Sequence, residues 1–347
     1  MADLSKYICT NPFKYSEITV NGQHMCCNEW MNLDIDNGEG LVSSWNSDLA
    51  NQARESMLDG SFKFCNKDKC PHLSKVAYKD KPSGPVLLKT EEVVEKLKQH
   101  KLPNSLKIVF DDACNLACPS CRIDFIRNSP KIYNKSKEIL KQMDESYGKE
   151  LKFVSLSGYG DPFYSTALFE WMCNFDKVNY PNMEVINIHT NAILWNKLNW
   201  EKIKNIHPYV KSAEISIDAA TPDTYHVVRK GGKWDLLIRN LEFISTIDTI
   251  DFLNFSFVVQ STNYKEIVLF YDLITSVFKD HKNIGIHYYK ILDWGILPKA
   301  TFKEQAIWEH THPQHTDLIR YVKELDGKND DRIHHNLHNL TSRIHAI

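Results

Sequence analysis

From residue 106 onward the sequence alternates between two periodicities, and that alternation constrains the fold most. Short apolar, β-branched runs occur at LKIVF (106–110), LKFVSLS (151–157), EVINIHT (184–190), SAEISID (212–218), LNFSFVVQ (253–260) and IGIHYYKI (284–291). Segments of helical spacing separate them: KSKEILKQMDESY, TALFEWMCNF, LNWEKIKNI, WDLLIRNLEFI and YKEIVLFYDLITSVF. The first pattern predicts buried strands and the second helices. Strands alternating with helices imply a parallel sheet with right-handed crossovers. The runs close on polar or small residues: Asp111 and Asp112, Ser157 and Gly158, Thr190 and Asn191, Ser216 and Asp218, Gln260 and Ser261. In βα barrels the chemistry gathers at those carboxyl ends. Six units are too few to close an eight-stranded barrel. The expected fold class is therefore α/β, a partial (β/α)6 TIM barrel, with a doubly wound open sheet as the alternative.

A chain of 347 residues has room for that sheet and a second small domain. A net charge of −2 gives no electrostatic case for nucleic acid or an anionic membrane. No run approaches the roughly 18 apolar residues of a membrane span, and MADLSKYICTNPFKY lacks the apolar core of a signal peptide. The expected compartment is the cytoplasm. In that reducing setting nine cysteines read as ligands or catalysts rather than disulfides. None lies beyond Cys173, and the rest fall into two groups.

The second group is the loop DDACNLACPSCRIDF (111–125), which follows the first strand and holds Cys114, Cys118 and Cys121 at C-x-x-x-C-x-x-C spacing. Thiolates suit zinc, copper(I) or an iron–sulfur cluster. A closed structural zinc site takes four ligands, and iron–sulfur clusters are normally held by four cysteines. Three thiolates leave one metal position open, unless a histidine completes a zinc site. Pro119 and Asn115 stiffen and turn the loop.

With CNLACPSC directly after a first strand, the chain resembles the radical S-adenosylmethionine (SAM) family. Further segments carry the resemblance in order: SLSGYGDPF (155–163) is similar to the family's glycine-rich segment, HTNAILW (189–195) to its TNG segment, and ISIDAATPDTYHVVRKGG (215–232) and FVVQSTNYKEI (257–267) to the later strand ends. It covers about 106–295. The resemblance implies a 4Fe–4S cluster on Cys114, Cys118 and Cys121, with S-adenosylmethionine on its open iron. It also implies one-electron cleavage of the sulfonium to a 5′-deoxyadenosyl radical and a reducing partner such as flavodoxin or ferredoxin. By the same resemblance, Gly158, Tyr159, Gly160 and Asp161 line the methionine amino group, chiefly through backbone, with Thr190 and Asn191 beside them. Ser216, Asp218 and Arg229 are candidates for the carboxylate and ribose. Two positions depart from the family pattern: Ser120 stands where an aromatic residue is usual, and Tyr159 and Asp161 where Gly and Glu are common.

The amino-terminal cysteines form the other group. SEITVNGQHMCC reads as a hairpin turning at Asn21-Gly22, which draws Cys9 towards Cys27. Cys65 and Cys70 follow behind a helix, and four thiolates can close a metal site. C-x12-G-x4-C, with Trp45, Ser47, Arg54, Gly60 and Cys65 after it, resembles the SPASM or twitch auxiliary-cluster domain of radical SAM enzymes, here placed before the barrel. That implies a second, auxiliary 4Fe–4S cluster on Cys9, Cys27, Cys65 and Cys70. Cys26 competes with Cys27 as ligand. The expected organisation is an auxiliary domain over 1–75, a linker and helix over 76–105, the barrel over 106–295 and a helical tail over 296–347.

Cys26 and Cys173 are weak hydrogen-donor candidates for an epimerisation. Lys290, Asp293 and Trp294 end the last strand and are candidates to face substrate. His334 and His338 would share one face of a helix. The function expected is a radical SAM enzyme acting on a peptide or a sugar-like small molecule, by net oxidation or, alternatively, by epimerisation. The reading from another class is a non-enzymatic zinc-binding module.

Overall fold

The structure, a computed structural model, describes residues 3–19, 22–27, 30–31, 33–156, 159–281, 283–293, 295 and 297–337. It divides into two compact units, Met1–Asp111 with Asn134–Leu156 and Asp176–Val185, and Asp112–Tyr133 with Ser157–Phe175 and Ile186–Ile347.

The first unit contains β1 (Tyr7–Cys9), β2 (Tyr15–Thr19), β3 (Gly22–His24), β4 (Val86–Leu88), β5 (Ser105–Val109) and β6 (Phe153–Leu156). β1 and β4 pair antiparallel as a separate ribbon. The expected hairpin is present as β2 and β3, with Glu17 opposite His24 and Thr19 opposite Gly22; Asn21 of its turn lies outside the described residues. The sequence left one pairing unread. β2 runs parallel to β5, from Tyr15↔Ser105 to Thr19↔Val109, and β5 runs parallel to β6. Ile18, Leu106, Ile108, Val154 and Leu156 are buried along those strands. Burial on a parallel sheet favours such apolar runs.

In the second unit β7 (Val185–Thr190), β8 (Val210–Ser216), β9 (Phe252–Val259), β10 (Ile284–Lys290) and β11 (Ile333–His335) pair in parallel in that order. Side chains alternate across a strand. One face carries Ile186, Ile188, Ala213, Ile215, Leu253, Phe255, Phe257, Ile286 and Tyr288, all buried. The Tyr288 hydroxyl donates to the Ile267 carbonyl at the start of helix Ile267–Val277, which fixes that face as the helix-covered one. The other face carries Asn187, His189, Ser212, Glu214, Ser216, Asn254, Ser256, His287 and Tyr289. The sheet is therefore apolar towards its helices and polar on its opposite side.

The architecture is the mostly parallel α/β sheet with helices expected from the sequence. The six expected strands occur within a few residues of their predicted limits. Within the expected helical tail, helices Lys299–Gln305 and His315–Asp326 form, while Ile333–His335 adds a strand beside β10, with Ile333 opposite Ile286 on the apolar face. His334 therefore lies on a strand, its ring centroid 4.7 Å from that of His287. His338 lies outside the described residues.

Candidate functional site

The loop after β5 is built around its three cysteines. The Cys114 N–H donates to Ile126 O at 2.9 Å and closes the loop; the N–H groups of Cys121 and Arg122 donate to Cys118 O and form one helical turn. The Ala117 N–H donates to Lys230 O at 2.9 Å, joining the loop to the turn after helix Pro222–Val228. Gly231 permits that approach. Its φ is +92°, and a Cβ there would stand 2.6 Å from the Phe125 ring.

Each thiol has a donor. Cys114 Sγ accepts from the Leu116 N–H at 3.4 Å and from Asn191 Nδ2 at 3.8 Å. Cys118 Sγ accepts from an Arg229 guanidinium nitrogen at 3.6 Å, and Cys121 Sγ from Arg122 at 3.6 Å. Such bonds stabilise thiolates and tune bound metal. Burial pushes the Cys114 thiol up to about 12 and also raises Cys118, where the Arg229 charge opposes the rise. Metal-free, these groups stay protonated at neutral pH, so a metal must displace protons to bind.

The strand-end residues come together around this loop. Asp161 is buried. Its carboxylate accepts from Thr190 Oγ1 at 2.7 Å and from the N–H groups of Asn191 and Phe163 at 2.9 and 3.0 Å. Its own N–H donates to Ala113 O, beside Cys114. Burial raises its carboxyl group against those bonds. The Asn191 and Asn115 side chains bond each other at 2.9 Å. Arg229 pairs with buried Asp218 at 2.8 Å, and Asp218, at φ +61°, also accepts from the Val258 N–H. Ser216 Oγ stands 3.0 Å from both His189 Nε2 and Ser256 Oγ. Tyr159 is exposed, and Gly158 lies outside the described residues.

Several supporting residues carried no readable sequence signal. Arg122 holds Cys121. Asn240 donates to Ala192 O and Ile193 O, fixing the turn after Asn191, where Ala192 has φ +60°. Glu266 accepts from the Ala220 and Thr221 N–H groups and from the Thr221 and Thr224 hydroxyls, which anchors the start of helix Pro222–Val228. Tyr225 is the most informative omission. Its hydroxyl and the Arg229 Nε are both buried without a hydrogen-bond partner, and Tyr225 lies within the fields of Arg229, Cys118, Asp218 and Asp161. Two unsatisfied donors beside the thiols are costly unless a polar ligand meets them.

Two candidates point elsewhere. Cys173 ends helix Thr166–Cys173, and its carbonyl accepts from Asn205, just before β8 begins. It thus stands at the amino end of β8, opposite Ser216 and Asp218, and does not face the cysteine loop. Lys290 lies on the helix-covered face with Tyr288, its ammonium 5.0 Å from the Trp308 ring centroid. Asp293 caps the Gly295 N–H, and Trp294 lies outside the described residues.

In the first unit Cys9, Cys26 and Cys70 are buried, while Cys27 and Cys65 are half-buried. Burial raises the Cys9, Cys26, Cys65 and Cys70 thiols, Cys9 and Cys65 up to about 12. The Trp45, Ser47, Arg54 and Gly60 motif is structural. Ser47 caps helix Asp48–Leu58. Arg54 stacks on Trp45 at 4.6 Å and donates to Trp45 O and Pro12 O, clamping the segment after Cys9. Among the described residues no three His, Cys, Asp or Glu side chains converge at metal-ligand distances; Cys26, Cys70, Cys114, Cys118 and Cys121 accept hydrogen bonds from nearby donors instead.

A three-thiol loop at the strand ends of a mostly parallel α/β sheet, ringed by buried polar groups, is an arrangement that suits the iron–sulfur class of enzymes. The family comparison makes this specific: residues 108–274 match the model of the Radical SAM superfamily, and the chain is an enzyme carrying that domain. No curated protein matches the sequence. Among solved structures the chain is similar to Streptococcus suis SuiB bound to precursor peptide SuiA, with 12% identity over 96% of this chain and 72% of that one and a TM-score of 0.46. It is also similar to anSMEcpe with bound AdoMet, with 17% identity over 67% and 64% and a TM-score of 0.43.

Proposed function

We propose that the enzyme works with two iron–sulfur clusters and modifies a polar substrate, of peptide or sugar-like class, by net oxidation. The observation that carries the catalytic half is the donor set at the loop. Three thiols each accept hydrogen bonds, the unit's remaining cysteine stands at the other end of β8, and two buried donors beside Cys118 lack partners. Cys114, Cys118 and Cys121 would hold the first 4Fe–4S cluster, while Arg229 and Tyr225 would meet the anionic or polar end of S-adenosylmethionine. When bound, the cluster and S-adenosylmethionine would supply one-electron radical chemistry for removing a hydrogen atom from substrate.

This chain's residues orient and shield that chemistry. Arg229, neutralised by Asp218, places a positive donor against Cys118 at little net charge. Asp161 fixes the Thr190–Asn191 turn, and Asn191 in turn bonds Cys114. Ser216 and His189 begin the polar face that runs through Glu214, Asn254, His287 and Tyr289, a wall suited to hydroxyl, amide or amine groups. A second 4Fe–4S cluster would be held by the amino-terminal thiols and would supply an acceptor for the electron released when substrate is oxidised, while a flavodoxin- or ferredoxin-like partner would supply the electron needed at the cysteine loop. The test is anaerobic reconstitution with iron and sulfide, then dithionite and S-adenosylmethionine. 5′-Deoxyadenosine formed by the wild type and lost in Cys114→Ala/Cys118→Ala/Cys121→Ala supports the reading. Zinc without iron and no nucleoside refutes it, leaving a structural zinc module.

A further inference from the structure

We infer that Glu214 anchors a cationic amine of the substrate, with Asn254 as a neutral acceptor beside it, so that the enzyme takes an amine-bearing molecule in preference to its uncharged counterpart. The inference rests on the reading of the polar sheet face as the substrate wall, and it narrows the class of substrate.

Strand register lines up the acceptors. His189 stands opposite Glu214, Glu214 opposite Asn254, and Asn254 opposite Gly285, in one row across β7, β8, β9 and β10. Neighbouring strands lie about 4.8 Å apart, so one small group can touch two members of the row. Gly285 makes room for the polar ends gathered there. A Cβ at that position would stand 2.5 Å from Asn254 Oδ1 and 2.9 Å from His287 Nε2. Asn254 Oδ1 and His287 Nδ1 are both buried without a hydrogen-bond partner among the described residues. Buried polar atoms left in that condition mark a place where a ligand or water belongs.

Glu214 is the charged member of the row. Its side chain is 29% exposed, and its one ion-pair contact among the described residues is His189 Nε2 at 3.9 Å. That is too long for a hydrogen bond, and the same nitrogen lies 3.0 Å from Ser216 Oγ. From Ser212 to the carboxyl ends of the strands this face carries no lysine or arginine. Arg229, just beyond it, is neutralised by Asp218 at 2.8 Å. Burial holds the His287 imidazole below its usual range, so it is uncharged at neutral pH. The wall therefore presents one carboxylate with no fixed cation to answer it. A half-buried charge without a partner is unfavourable, and a ligand ammonium supplies the complement. An ammonium also carries three donors, enough for Glu214 and Asn254 Oδ1 together.

The test is isothermal titration calorimetry on the reconstituted full chain with S-adenosylmethionine present. The probes are two matched pairs: glucosamine with glucose, and N-acetyl-lysine N-methylamide with its norleucine counterpart. In one pair the amine should bind about tenfold tighter than its uncharged partner; which pair does so separates a sugar-like substrate from a peptide. Glu214→Gln abolishes that preference, and Glu214→Asp, which keeps the charge, retains it. Iron content and electron paramagnetic resonance (EPR) identify any variant that fails to fold. A second readout needs no variant: added salt narrows the gap within the pair. Equal binding within both pairs, no binding of either amine, or a preference that survives Glu214→Gln overturns the inference. 5′-Deoxyadenosine formation by the wild type is measured in parallel. With it intact, those results overturn the inference alone; without it, the catalytic reading itself fails.

Discussion

Replacing Arg229 with methionine should destabilise the protein severely, and in a pH-dependent way. Asp218 is 1% exposed and Arg229 pairs with it at 2.8 Å. Removing the guanidinium leaves the carboxylate the hydrogen bond from the Val258 backbone N–H at 2.7 Å. Removing one partner of a buried pair costs about 3–5 kcal/mol, because the remaining charge is uncompensated. In the variant the orphaned carboxylate has a folded-state pKa above its unfolded value of about 4. The folded variant then binds the extra proton, so the deficit is full at high pH and shrinks as pH falls towards about 4. Arg229→Met/Asp218→Asn removes both charges and should recover more than half of the loss. The assay is guanidinium unfolding of the metal-free protein under anaerobic conditions, followed by tryptophan fluorescence at pH 8 and pH 5. A single variant within about 1 kcal/mol of wild type at pH 8, or a double variant no better than the single, refutes the argument.

Other perturbations test separate links. Asp161→Asn turns an amide nitrogen towards at least one of the Asn191 and Phe163 N–H donors, and should cost about 1–3 kcal/mol in the same unfolding assay. Gly231→Ala forces a Cβ against Phe125 at φ +92°, and should lower stability by about 1–2 kcal/mol and reduce iron loading at the cysteine loop. Asn191→Ala should retain about four irons at that loop but change the EPR g-values, since it removes a donor to Cys114. Glu214→Gln should leave 5′-deoxyadenosine formation without substrate within about twofold of wild type, because the residue lies on the proposed substrate wall.

Much of the architecture was legible because the second unit is consistent across levels. β-branched runs bury one face, helices cover it, and polar strand ends gather around the cysteine loop. The cysteine loop stood out by its spacing, and its family by the ordered motifs at the later strand ends. What escaped reading depends on pairings between distant residues. No local pattern announces that β2 pairs in parallel with β5, that Glu266 anchors Thr221, or that Asn240 holds the Ala192 turn. Tyr225 was read past because an aromatic residue in helix Pro222–Val228 fits a core equally well; only its unsatisfied hydroxyl marks it out. Ile333–His335 was misread because histidines at four-residue spacing suggest a helix, while the strand is set by β10 beside it.

The central claim is that three thiolates at the cysteine loop hold a cluster whose fourth iron is open to S-adenosylmethionine. The most direct measurement is EPR of the reduced protein carrying Cys9→Ser/Cys65→Ser/Cys70→Ser, with about four irons loaded, recorded before and after S-adenosylmethionine is added. The account predicts a cluster signal whose g-values shift on addition and which disappears when Cys114, Cys118 and Cys121 are also replaced. A signal unchanged by S-adenosylmethionine, or one that survives loss of those three cysteines, would contradict it.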